Sequence, residues 1–176
     1  FIPTAGNKED YTAYIDEAQQ TFRDLGFEIE VLDIASCDRE TAQAKIFQSK
    51  ILYISGGNTF YLLQELKKKQ LLSLIKEQIR DGLIYVGESA GAIITAKDVD
   101  YNKLMDDKTV AKELSDTTGL NEVEFYILPH YGEEPFTDSS KKTFETYKNQ
   151  LDLMRMNNSQ AVIVNDKEIK VVSEQD

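Results

Sequence analysis

The chain has 176 residues, 41% hydrophobic and 29% charged, which suits one soluble globular domain with a single buried core. Its 31 acidic and 20 basic residues leave a net charge of −11, which argues against nucleic acid and anionic membranes as partners. No apolar run approaches the roughly 18–20 residues of a membrane span, and a single cysteine, Cys37, excludes an internal disulfide and suits a reducing cytoplasm.

Apolar runs alternate with helical patterns along the chain, the signature of an α/β fold with a mainly parallel sheet. Strands are predicted at 1–4, 28–34, 51–55, 83–86 and 125–128. Residues 161–164 and 168–172, joined by Asn165-Asp166-Lys167, read as a terminal antiparallel hairpin. Helices are predicted at 11–25, 40–48, 59–68, 71–80 and 139–150, with Gly26 and Gly82 just past the ends of the first and fourth. The run Lys67-Lys68-Lys69 reads as a solvated helix end. Residues 98–119 have no period and many acids, a long excursion of the kind that often carries function. Its start, Asp98 to Asn102, imitates a calcium loop but has Lys103 and Thr109 where such a loop needs glycine and glutamate. With one histidine in the chain, a histidine-rich metal site is impossible; no metal and no cofactor is expected.

Three strand ends carry chemistry. The first is Ser55-Gly56-Gly57-Asn58-Thr59, where paired glycines allow backbone to approach a reacting atom, although Asn58 or Thr59 would serve equally as a plain helix cap. The second is Gly87-Glu88-Ser89-Ala90-Gly91, between an apolar run and an alanine-rich helix start. Strand, Gly-x-Ser-x-Gly, helix is the context that exposes a serine hydroxyl as a nucleophile, with N–H groups from Ala90 onward turned toward a developing oxyanion. The third is Leu128-Pro129-His130-Tyr131. A serine needs an adjacent base, and His130 is the sole imidazole, at the same sheet edge as Ser89.

Ser55 to Phe60, Gly87 to Ala92 and Leu128 to Tyr131 together resemble the signatures of the dipeptidase E family of serine peptidases, over nearly the whole chain. The resemblance implies a class I glutamine amidotransferase-like (flavodoxin-like) fold, a three-layer α/β/α sandwich. It implies a short peptide as substrate, Ser89 as nucleophile, His130 as base, and the N–H groups of Gly57 and Ala90 as oxyanion hole, with Gly56 and Asn58 lining the site. A cytoplasmic monomer or homodimer is expected, and the resemblance anticipates a further strand and helix before Phe1. The family's aspartate falls near Leu104 here, so Asp106 is expected to orient His130, with Asp107, Glu133 and Asp138 as competitors; Glu88 adjoins the nucleophile and is expected to point elsewhere. Members preferring N-terminal aspartate resemble one another in an arginine after the histidine. This chain has Lys141 and Lys142 instead, which implies weak preference or none.

Two rival readings stand beside this one. An esterase of α/β-hydrolase type shares the serine turn, but usually needs more chain and a cap. A non-catalytic ligand binder would use Gly56-Gly57-Asn58 and the helix start after Ser89 as an anion cradle.

Overall fold

The computed structural model describes residues 1–174. Two parallel strand pairs form its framework. Strand β1 (Ile51–Ile54) pairs with β2 (Ile84–Gly87), Ile51 opposite Ile84 and Ile54 opposite Gly87, and β3 (Tyr126–Leu128) pairs with β4 (Leu153–Arg155). β5 (Gln160–Asn165) and β6 (Glu168–Ser173) pair antiparallel.

The first two predicted strands survive as ladder fragments, the first beside β1 and the second beside the first. The Ile2 N–H donates to Tyr53 O (2.8 Å), Ser55 N–H donates to Ile2 O (3.0 Å), and Leu32 N–H donates to Phe1 O (2.9 Å). Pro3 has no N–H to continue the ladder, and Thr4–Lys8 winds into a 3₁₀ turn. β4 was not anticipated, because three residues of mixed character leave no period to read.

The helices are α1 (Ala13–Asp24), α2 (Arg39–Gln48), α3 (Thr59–Lys68), α4 (Leu72–Arg80), α5 (Ala90–Ile93) and α6 (Thr137–Tyr147). Helix α5 packs against β1, β2, β3 and α3, while α2 packs against α4. The core between them is aliphatic: Ile2, Ile34, Ile46, Ile54, Phe60, Leu62, Leu63, Leu66, Ile75 and Ile93 are fully buried. None of the described helices is long and apolar enough to cross a membrane.

The excursion at 98–119 packs over α3 rather than hanging free. It includes 3₁₀ turns at Asp100–Leu104 and Lys108–Val110. The Glu113 N–H donates to Gln64 Oε1 (2.8 Å), Lys68 pairs with Glu113 (2.9 Å), and Lys67 pairs with Asp116. Lys67 and Lys68, at the solvent-accessible end of α3, thus also tie the excursion to that helix. Asp100, in the calcium-like stretch, is held by Lys103 (2.6 Å) and Lys108 (2.7 Å).

Candidate active site

The turn from β2 into α5 places Ser89 at φ 44°, ψ −104°, a backbone region that a side-chain-bearing residue occupies only under strain. The glycines on either side make this bend possible. A side chain on Gly87 would collide with the Gly91 backbone, and one on Gly91 would collide with the Ile54 carbonyl. Ala90 opens α5, so its N–H has no partner inside the helix.

His130 leaves the end of β3 at φ 55°. The ladder closes around it, with Met156 N–H donating to Leu128 O and Tyr131 N–H donating to Met156 O, both at 2.9 Å. The imidazole stacks on Phe136, with ring centres 4.8 Å apart and an interplanar angle of 23°. Its Nε2 lies 3.0 Å from Ser89 Oγ and its Nδ1 2.6 Å from Asn158 Oδ1. An amide oxygen only accepts, so Nδ1 carries the proton and Nε2 is left to accept from the serine hydroxyl. The geometry thus brings Ser89 and His130 together and gives the position on Nδ1 to Asn158.

Asp106 stands elsewhere. Its Oδ2 accepts from the Thr59 N–H (2.7 Å) at the start of α3. Burial raises its pKa above the ordinary carboxylate range, opposed by hydrogen bonds from Thr59 and Asn102 and by the charge of His130. Asp107 caps the 3₁₀ turn at Thr109 (2.8 Å). No side-chain hydrogen bond joins Glu133 or Asp138 to His130 among the described residues.

Sequence reasoning missed Asn158. It lies in the turn Asn157-Asn158-Ser159 between β4 and β5, where asparagine is unremarkable. Recognising β4 would have been the one available signal, since reactive groups gather where parallel strands end.

The glycine loop after β1 closes the other side. Gly57 has φ 125°, and any side chain there would strike the Ala5 carbonyl, so the loop backbone lies directly on Ala5 and Gly6. The Asn58 N–H donates to Ala5 O (2.9 Å). Asn58 Oδ1 caps α3 by accepting from Tyr61 N–H (3.0 Å), and its Nδ2 donates to Asp107 O (3.0 Å). Asn58 is 3% exposed, which makes it a brace rather than an open contact. Glu88 turns back over Gly56: its Oε2 accepts from Tyr53 Oη–H (2.6 Å) and from Gly56 N–H (3.3 Å). Burial, then the Glu88 charge, pushes the Tyr53 phenol up in pKa, so it stays a donor at neutral pH. Tyr14 is pushed up to about 12 by burial and by the charges of Glu9, Glu88 and Asp106.

Comparison with known proteins gives a consistent picture. The model of peptidase family S51 matches residues 1–172. An uncharacterized peptidase of Pasteurella multocida is 41% identical over 98% of this chain and 83% of its own length. The peptidase E of a Nostoc species is 30% identical over 74% of this chain and 51% of its own. A crystal structure of a provisionally named peptidase E protein from Listeria monocytogenes superposes with a TM-score of 0.94 at 36% identity, covering 98% of this chain and 84% of the other.

Proposed function

The chain belongs to peptidase family S51 and is a serine peptidase of the peptidase E type, and from that premise we propose how its site works. Ser89 Oγ attacks the carbonyl carbon of a peptide bond while His130 Nε2 takes the hydroxyl proton. Asn158 Oδ1 accepts from Nδ1–H and holds the imidazole in the tautomer the attack requires. The tetrahedral oxyanion is met by the N–H groups of Gly57 and Ala90. On collapse the C–N bond breaks, and His130 returns the proton to the leaving amine. Water then attacks the acyl-Ser89 ester by the same route in reverse, releasing the acid and restoring the serine. The reading carries with it a three-layer α/β/α sandwich in which these groups share one sheet edge.

The observation that supports it most directly is the position of His130, 3.0 Å from Ser89 Oγ and 2.6 Å from Asn158 Oδ1. A panel of short peptides tests it, including Asp-Leu, Ala-Leu and Lys-Leu. Wild type should hydrolyse members of the panel without a hundredfold preference for Asp-Leu, and Ser89→Ala should lose about 10⁶ in kcat. A purified Ser89→Ala protein keeping more than a tenth of wild-type turnover would remove Ser89 from the role.

A further inference from the structure

The proposed oxyanion donor Gly57 N–H belongs to the peptide unit Gly56–Gly57, and this unit and the one before it are each held by a side chain. Ser55, fully buried, donates its hydroxyl to Gly56 O at 3.1 Å. In a trans peptide the C=O and N–H point in opposite directions, so fixing Gly56 O fixes the direction of the Gly57 N–H. The preceding unit is held by Glu88, whose Oε2 accepts from Gly56 N–H at 3.3 Å and from Tyr53 Oη–H at 2.6 Å. Gly56 itself is buried, and the space beside its Cα is shared by the nucleophile and Glu88: a Cβ built there would lie 3.4 Å from Ser89 Cβ and 3.8 Å from the Glu88 carboxyl carbon.

From this arrangement we infer that Glu88 and Ser55 are positioning residues of the oxyanion hole, aiming the Gly57 N–H by holding the two peptide units that meet at Gly56. The inference rests on the proposed serine-peptidase mechanism, within which it assigns work to two side chains outside the Ser89–His130–Asn158 chain. Glu88 is the immediate neighbour of the nucleophile, so one carboxylate couples the serine turn to the glycine loop after β1. The two donors of the hole, Ala90 and Gly57, come from separate strand ends, and their separation is set by whatever ties those ends together. Between the two turns, Glu88 supplies a side-chain tie in addition to the backbone ladder. The property required of Glu88 is acceptance of two hydrogen bonds, not negative charge. A charge beside the site of a developing oxyanion opposes it, which separates the two roles experimentally.

The probe is a fluorophosphonate, which reacts with an activated serine and places a phosphoryl oxygen where a peptide oxyanion would sit. Second-order labelling rates are measured for wild type and for Ser55→Ala, Tyr53→Phe, Glu88→Ala and Glu88→Gln, with a thermal melt of each. Loss of a correctly aimed donor costs on the order of 10²–10³. A donor left in place but poorly held should cost less, about 10–100-fold in Glu88→Ala and Ser55→Ala. Tyr53→Phe, which leaves the Gly56 bond intact, should fall between these and wild type. Glu88→Gln keeps an accepting oxygen and should label within about threefold of wild type, a recovery that a purely electrostatic role would not give. Melts that match wild type while labelling slows place the effect in the hole rather than in the fold. Glu88→Ala labelling at the wild-type rate would overturn the inference, as would Glu88→Gln labelling as slowly as Glu88→Ala. Wild type that fails to label at Ser89 would strike the underlying mechanism itself, and the inference with it.

Discussion

Asn158 is a neutral residue in the position where serine peptidases often carry a carboxylate, and that difference has a measurable size. An aspartate both fixes the tautomer and stabilises the imidazolium, and losing it costs about 10⁴. Asn158 Oδ1, 2.6 Å from Nδ1, supplies the first effect and only part of the second. Asn158→Ala should therefore lower kcat by about 10²-fold, while Asp106→Asn, which preserves an acceptor for Thr59 N–H, should leave kcat within a few-fold. Peptide-hydrolysis rates of the two purified variants check this, and the reverse order would return the orienting role to Asp106. Asp106 has a separate signature in stability. Its pKa is raised in the folded state, so the native protein holds that proton more tightly than the unfolded chain. Its contribution is fully present below the ordinary carboxylate range and is lost as pH rises through the folded pKa. Urea denaturation should accordingly show Asp106→Asn gaining on wild type between pH 4 and pH 7; an unchanged difference across that interval would contradict the burial-driven shift.

Helix α3 links the site to the excursion at 98–119, and Asn58 is the joint. Its Oδ1 caps Tyr61 N–H and its Nδ2 reaches Asp107 O, both at 3.0 Å from a buried side chain. Losing both should cost about 2–3 kcal/mol in Asn58→Ala, while Asn58→Ser should recover about 1 kcal/mol through the cap alone. Urea midpoints decide it, and equal stabilities for the two variants would mean the cap does not contribute. The element pattern behind this was largely legible. β1, β2 and β3 fall on the apolar runs, and α3 spans the predicted 59–68. Gly26 and Gly82 sit at positive φ where α1 and α4 end. What periodicity could not supply was non-local. The excursion's residues are polar and irregular because their partners lie on α3, some 45–49 positions away, as with Lys68–Glu113 and Asn58–Asp107. Asn158 escaped notice for the same reason, since its contact with His130 crosses 28 positions and begins from a strand too short to recognise.

For the molecule as a whole, the site is assembled from distant parts of the chain: the glycine loop after β1, the serine turn after β2, His130 after β3 and Asn158 after β4. Catalytic competence is thus a property of the complete fold, and activity should vanish in the same denaturant interval as helical structure. Ser89 and His130, the two groups proposed to exchange the proton, both sit at positive φ, 44° and 55°. Such conformations cost of order 1–3 kcal/mol for a residue with a Cβ. The fold holds its reactive centre under tension, and relieving that tension should yield a sturdier but inert molecule. Ser89→Gly and Ser89→Ala both lack the hydroxyl, yet only glycine is at ease at this φ and ψ. Ser89→Gly should melt several degrees above Ser89→Ala, and above wild type as well, so that reactivity and robustness are traded at a single residue.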